Sequence, residues 1–299
     1  NVLLIEAGKS SHPISRIPVS FSMLIDHPTA NWRYRSKPQA STSNREIPVP
    51  RGKLLGGSSS INGLVYVRGQ KLDYDIWAQM GNRGWSSDDV FPYFKKLENY
   101  QNDCDDNRGK SGPVKITQVT DRNPIYDALF KTGKNLGIPF NPDYNSEEQE
   151  GLTFTQTTIN RGERVSAKVA YLDPIKSRKN LTISTESLVT KILIKDKSAK
   201  GVEILKKNKK EIFYARKEVI ICGGAINSPQ ILELSGIGNP EILKKNGIEI
   251  CHELNGVGEN LRDHIGPRIV YRIIKPGLSY NERARGVNLV KQVLSYFFQ

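Results

Sequence analysis

The sequence predicts an α/β protein in which a parallel-sheet domain is interrupted by a second domain. Two observations carry that prediction. Residues 2–6, VLLIE, form a short, wholly apolar run ending in an acid, the pattern of a strand buried on both faces of a parallel sheet. A second run of the same kind, Glu218-Val219-Ile220-Ile221-Cys222, feeds Gly223-Gly224 and then a helical pattern. A long middle region with its own helices and strands separates the two, so the first domain is expected to be continued after the second.

The elements follow in order. Residues 9–50, with prolines at 13, 18, 28, 38, 48 and 50, read as an irregular excursion over a surface. Residues 51–69 form a glycine-serine loop leading into an apolar stretch. Residues 72–80 and 86–98 are helical by pattern; Ser86 or Ser87 caps the second, and Asp88 and Asp89 in its first turn suit the helix dipole. An Asp-, Asn- and Gly-rich loop covers 101–112. A strand is expected at 112–117, an amphipathic helix at 124–136 and a threonine-alternating strand at 152–159. From 181 the pattern is regular β, at 181–185, 188–195, 200–205, 211–214 and 217–222, with a turn at Asp196-Lys197-Ser198. The next helix is expected to use Asn227 or Ser228 as its cap and Pro229 in its first turn, ending at Ser235-Gly236.

Composition excludes several classes. The chain has 299 residues, 37% of them apolar, enough for one large core or two modest ones. No low-complexity tract or internal repeat is present, and no apolar run approaches the ~20 residues needed to cross a bilayer. Cys104, Cys222 and Cys251 are far apart, without metal-ligand spacing, and read as reduced thiols. The formal charge of +13 raises nucleic-acid binding. Yet Lys195, Lys197, Lys200, Lys206, Lys207, Lys209 and Lys210 crowd between short β runs, which a solvated hairpin face explains more simply; nucleic acid is therefore not expected as a partner. Asn1 opens directly into an apolar run and residues 294–299 lie within a helix-like one, so both ends are expected to continue.

Three places carry candidate chemistry. Glu6, at the carboxyl end of an early parallel strand, can accept hydrogen bonds from both ribose hydroxyls of a dinucleotide, or be a solvated strand-end acid. In Gly56-Gly57-Ser58-Ser59-Ser60 the adjacent glycines let the backbone approach a bulky ligand, and the serines are expected to cap a following helix whose outward amides attract a diphosphate. Gly223-Gly224 at a strand-to-helix junction is either a second such device or a packing requirement.

The full spelling of these segments carries a resemblance. Residues 51–63, RGKLLGGSSSING, resemble the first signature of the glucose–methanol–choline (GMC) oxidoreductases, and residues 224–238, GAINSPQILELSGIG, resemble the second. Leu3-Leu4-Ile5-Glu6-Ala7-Gly8, Asn31-Trp32 and Gly258-Glu259-Asn260-Leu261-Arg262-Asp263-His264 match in the family's order and spacing, and the chain is most similar to the choline dehydrogenase and bacterial alcohol dehydrogenase branch.

The resemblance implies an FAD-binding dinucleotide fold of the three-layer ββα type, interrupted by part of an α+β substrate domain with an antiparallel sheet. The FAD-binding domain would take 1–70 and 181–265, and the substrate domain 71–180 and 266–299. Glu6 would bind the adenosine ribose of FAD. Ser58, with Gly56, Gly57 and Ser59 around it, would lie by the diphosphate, and Asn62 and Gly63 near the flavin. The backbone of Val189 would meet the adenine edge, and Gly223 and Gly224 would pack beneath the cofactor. Some members attach FAD through a histidine just before the asparagine of the first signature; Ile61 stands there, which implies dissociable FAD. The implied activity is oxidation of choline or a primary aliphatic alcohol by hydride transfer to the flavin, with a histidine base beyond Gln299 and a quinone or respiratory-chain acceptor. Of His12, His27, His252 and His264, none is expected to be that base. A cytoplasmic location is implied, with association to the inner membrane surface a further expectation. A flavin-binding module without catalysis is the alternative, since one family relative is a cyanohydrin lyase in which FAD is idle.

Overall fold

The computed structural model describes residues 1–102, 106–264, 266 and 269–298. The chain divides into two compact units. The first takes Asn1–His12, Lys53–Leu55 and Ser177–Arg268; the second takes Pro13–Gly52, Gly56–Lys176 and Ile269–Gln299.

In the first unit, the strand Val2–Ile5 pairs in parallel with Leu181–Ser184, Val2 opposite Leu181 and Ile5 opposite Ser184. The strand forms where expected but is not buried on both faces: Val2 is 59% exposed and Leu3 37%. Among the described residues it belongs to a two-stranded sheet, which leaves its apolar faces partly open.

Three antiparallel strands follow, Ser187–Lys195, Ser198–Lys206 and Lys209–Tyr214. Both connections are two-residue turns, Asp196-Lys197 (φ +51° and +58°) and Lys207-Asn208 (φ +48° and +60°). Paired left-handed residues give the hairpin twist that matches right-twisted strands. Strand alternation buries Ile192, Val202 and Ile204. Six of the seven lysines singled out above are exposed and Lys206 is half-buried, as a solvated face requires.

A register shift between Val189 and Lys191 interrupts the first of these ladders. Just beyond it the Ile192 N–H donates to Ser235 Oγ at 2.8 Å, while Ser235 Oγ donates to Ile231 O at 2.6 Å. One hydroxyl thereby ties the bulged strand to the end of the helix Gly224–Leu234.

The expected strand at 217–222 is absent: these residues carry no strand assignment, and Ile220 is 73% exposed. A parallel strand exists only through its ladder, and no described segment pairs with this one. The helix after it also starts earlier than expected, at Gly224 rather than near 227, so Pro229 lies inside it. Proline there removes one backbone donor from the helix. The unit closes with the short parallel pair of Ile237–Gly238 and His252–Glu253, and with Pro240–Lys245, capped by Asn239 Oδ1 accepting the Glu241 N–H at 2.9 Å.

The second unit contains the helices expected near 72–80 and 86–98, at Lys71–Gln79 and Ser87–Leu97. Ser86 Oγ accepts the Asp89 N–H at 3.3 Å and the Asp89 carboxylate accepts the Ser86 N–H at 3.1 Å, a reciprocal capping box. The expected strand at 112–117 is Val114–Gln118, paired in parallel with Glu98–Tyr100 and antiparallel with Gln156–Thr157, and its Ile116 is fully buried. The strand expected at 152–159 survives only as Gln156–Thr157 and Ile159–Asn160. The amphipathic helix is Pro124–Asn135, with Asn123 Oδ1 accepting the Ile125 N–H at 3.0 Å. The excursion at 9–50 is mainly single turns, plus a two-residue ladder of Tyr34–Arg35 with Pro48–Val49.

A buried ionic network sits in this unit. Glu98 is fully buried and bonded to Arg68, to Arg108 Nε at 3.0 Å and to the Gly109 N–H at 2.7 Å; Arg108 also bonds Asp143 and lies over the Tyr100 ring at 3.9 Å. Each buried guanidinium here thus has a carboxylate, the condition under which buried charge is tolerated. Among the described residues, no helix is long and apolar enough to cross a membrane.

Candidate functional site

Glu6 directly follows the first strand of the first unit, Val2–Ile5. Its backbone is locked on both sides, the N–H donating to Ser184 O at 2.9 Å and the carbonyl accepting the Ser187 N–H at 3.0 Å. One carboxylate oxygen, Oε1, accepts the Gly8 N–H at 2.7 Å. Burial raises the Glu6 pKa above the ordinary 4.5, and the Gly8 N–H and the Lys53 charge only partly offset this. Gly8 must be glycine: a Cβ there would lie 1.8 Å from Lys53 O. The strand end is therefore pressed against residues 53–55, where Leu55 donates to Lys9 O at 3.0 Å.

In the same unit Val189 is half-buried, opposite Ile204 and next to the bulge. A bulge leaves backbone groups out of the ladder, which suits a residue expected to act through its main chain. Gly224 opens its helix at φ +81° with nothing within 4 Å of a Cβ, whereas a Cβ on Gly223 would meet Asn227 and Ser228 at 3.2 Å. One glycine of the pair is required by conformation and the other by packing.

The glycine-serine turn belongs to the second unit. Gly56 has φ +91° and Gly57 φ +54°. A Cβ on Gly56 would lie 2.5 Å from Ser60 Oγ, and one on Gly52 would lie 2.2 Å from Gly57 O. At Gly57 and Gly63, by contrast, a Cβ would meet nothing within 4 Å. The turn is tight at Gly52 and Gly56 and open at Gly57 and Gly63.

The serines do not cap an α-helix as expected. Gly57–Ser60 is a single 3-10 turn, and the next helix begins only at Lys71. The hydroxyls instead tie the turn together. Ser58 Oγ accepts the Gly52 N–H at 3.0 Å; Ser59 Oγ donates to Gly56 O and accepts the Ala167 N–H at 2.8 Å. Ile61 is buried, and Asn62 is exposed with its Oδ1 accepting the Leu64 N–H at 3.1 Å.

One residue of this turn's surroundings was not singled out from the sequence. Arg164, only 2% exposed, donates through Nε to Ser15 O at 2.9 Å and through Nη1 to Ser59 O (3.1 Å), Asn62 O (2.8 Å) and Asn62 Oδ1 (2.7 Å). Its Nη2 is buried without a hydrogen bond. Burial lowers its pKa to about 10. The available signal was one arginine among small and apolar neighbours, Val165, Ser166 and Ala167.

His27 is half-buried, and its Nδ1 accepts the Thr29 and Ala30 N–H groups, each at 3.3 Å, as a turn cap. His12 is also half-buried. His252 is exposed in its short strand, and its N–H donates to Gly236 O at 3.0 Å. The Asp263 carboxylate accepts the His264 backbone N–H at 2.9 Å, so the acid serves the main chain. Cys222 and Cys251 are free and exposed, while Cys104 lies outside the described residues. No group of residues able to hold a metal occurs among the described residues.

Comparisons with known proteins place these features in a family. The family model described as GMC oxidoreductase matches residues 33–266. The oxygen-dependent choline dehydrogenase of Photobacterium profundum is 41% identical over 278 residues, 92% of this chain and 49% of the relative. Among solved structures, pyridoxine 4-oxidase from Mesorbium loti aligns with TM-score 0.80 and 32% identity, covering 85% of this chain and 50% of that one. An FAD-dependent oxidoreductase from Chaetomium thermophilum aligns with TM-score 0.79 and 31% identity, covering 85% and 46%. The chain spans about half the length of the curated relatives it matches.

Proposed function

Because the chain belongs to the GMC oxidoreductase family, we propose that it binds FAD and serves a protein that oxidises choline or a primary aliphatic alcohol to the aldehyde. The observation that carries this reading is the turn at 56–63. It is braced by hydrogen bonds of Ser58, Ser59 and Arg164, and it is open at Gly57 and Gly63, where side chains would obstruct a ligand. A buried arginine with a spare donor adds the positive potential that a diphosphate needs.

In this reading Glu6 accepts hydrogen bonds from the adenosine ribose, and its Gly8 contact fixes the carboxylate's orientation. The Val189 backbone meets the adenine edge, and Gly223 and Gly224 let the chain pass close to the cofactor. Gly56, Gly57, Ser58 and Ser59 form the wall for the diphosphate, and Asn62 and Gly63 that for the flavin. When bound, FAD supplies the hydride-accepting chemistry, which the protein orients and shields. Ile61 has no nucleophilic atom and is buried, so the flavin is held without a covalent link at this position; its release on acid precipitation tests that. Residues 1–70 and 181–265 are proposed as the FAD-binding domain, and 71–180 and 266–299 as substrate-domain segments.

Alcohol oxidation also needs a base for the hydroxyl proton. None of His12, His27, His252 and His264 is proposed for that role, and the 299-residue chain alone is proposed to be inactive. The sequence reading favours a quinone acceptor, whereas the matched relatives are named oxygen-dependent. Reoxidation of the reduced protein by dioxygen and by a soluble quinone, measured separately, distinguishes the two. A cytoplasmic protein, at most peripheral to a membrane, fits this reading, and a vesicle-flotation assay tests the association.

The decisive experiment is anaerobic mixing of the full-length, FAD-loaded protein with choline and with n-alkanols. Bleaching of the flavin by either supports the proposal and names the substrate class. Bound flavin that no alcohol reduces would leave a binding module.

A further inference from the structure

We propose that Arg164 is the positioning residue of the 56–63 turn and that its charge is held for an anion seated on the turn's open side; this rests on the FAD reading above.

All the acceptors around Arg164 are neutral: Ser15 O, Ser59 O, Asn62 O and Asn62 Oδ1, at 2.7–3.1 Å. Among the described residues, the other two buried guanidinium groups of this unit, on Arg68 and Arg108, are paired with Glu98, and Arg108 also with Asp143. A buried cation without a counter-ion is costly. Arg164 therefore differs from its neighbours in the one respect that an anionic ligand would remedy. Its buried, unbonded Nη2 adds an unspent donor.

The hydrogen bonds also shape the turn. In a trans peptide the carbonyl and the following N–H point in opposite directions. By drawing in the carbonyl of Asn62, Arg164 turns the Gly63 N–H the other way, whereas the Ser60 N–H belongs to the 3-10 turn Gly57–Ser60. At Gly63 that side is open, with nothing within 4 Å of a Cβ. One side chain thus supplies positive charge at the turn and orients the main-chain donor of Gly63.

The anion has two sources in the same coenzyme: the diphosphate, or the reduced flavin when it carries negative charge. The test compares Arg164→Gln, which keeps hydrogen-bonding capacity without charge, with Arg164→Lys, which keeps charge without the fork. In the full-length protein, FAD affinity, ADP competition against FAD and the flavin midpoint potential are measured. The proposal expects Arg164→Gln to weaken FAD at least ten-fold or to lower the midpoint potential, and Arg164→Lys to recover most of the loss. Weaker ADP binding assigns the charge to the diphosphate. Unchanged ADP binding with a lowered potential assigns it to the reduced flavin.

Wild-type affinity and potential in a folded Arg164→Gln protein overturn the proposal while leaving FAD binding intact. A folded Arg164→Lys protein no better than Arg164→Gln overturns the role of charge. If both variants fail to fold even with saturating FAD, Arg164 is a structural residue and the proposal falls. A wild-type protein that binds no FAD defeats the functional reading itself.

Discussion

Alanine substitutions at Gly56, Gly57 and Gly63 separate what the turn needs to fold from what it needs to bind. A left-handed backbone costs an L-residue about 1–2 kcal/mol. Gly56→Ala incurs that cost at φ +91° and also places a Cβ 2.5 Å from Ser60 Oγ, inside a buried corner. A total loss of about 2–4 kcal/mol follows, or roughly 4–16 °C in Tm at the 2–4 °C per kcal/mol usual for large domains. Gly57→Ala incurs only the conformational cost, about 1 kcal/mol, because its Cβ meets nothing. Gly63 has a negative φ and the same open space, so Gly63→Ala should change stability by under about 0.5 kcal/mol. Affinity should follow a different order. If the open side receives the coenzyme, the methyl groups at 57 and 63 intrude on it, and FAD binding should weaken at least ~10-fold, about 1.4 kcal/mol. Thermal unfolding and flavin fluorescence titration on the same preparations give both numbers. Wild-type FAD affinity in both Gly57→Ala and Gly63→Ala would refute the reasoning, since the open side would then face only solvent.

Other outcomes follow from the same structure. Burial raises the folded-state pKa of Glu6, so this residue's contribution to stability is fully present below the ordinary glutamate value and is lost as pH rises through the folded value. Glu6→Gln should therefore raise the unfolding midpoint of the apoprotein at pH 7, with the gain shrinking below about pH 4.5, while FAD affinity falls roughly ten-fold or more for loss of a charged acceptor. Parallel melts and titrations check both, and a destabilised Glu6→Gln apoprotein at pH 7 would contradict the assignment. Glu98→Gln removes the carboxylate shared by Arg68 and Arg108 and should cost roughly 3–5 kcal/mol in urea unfolding. Ser86→Ala removes half of a capping box and should cost about 1 kcal/mol, with no effect on flavin binding.

What the sequence made legible was local. The helix at Ser87–Leu97 announces its own start, because the Ser86 and Asp89 groups that cap it lie three residues apart. The lysine-rich meander is similarly self-evident, since two-residue turns fix its register without help from elsewhere. Residues 217–222 show the opposite case. Their composition favours a buried strand, but strand formation depends on a ladder partner that the local sequence does not contain. Helix Gly224–Leu234 was misplaced for a related reason: a side-chain cap was sought at Asn227 or Ser228, while the helix starts on a left-handed glycine. At the candidate site the glycines and serines were visible as a motif, yet their roles were not. The hydroxyls turn out to brace the loop, and the charge behind it comes from Arg164, more than a hundred residues away in sequence. No periodicity or spacing connects Arg164 to Ser59 and Asn62; only the folded chain does.

The most direct test is a titration of FAD into the full-length apoprotein, followed by absorbance and by quenching of flavin fluorescence. Saturable uptake of one FAD per chain, displaced by ADP and diminished in Gly57→Ala, is the predicted result. A protein that stays colourless at saturating FAD, with its melting temperature unmoved by the coenzyme, would contradict the account at its root.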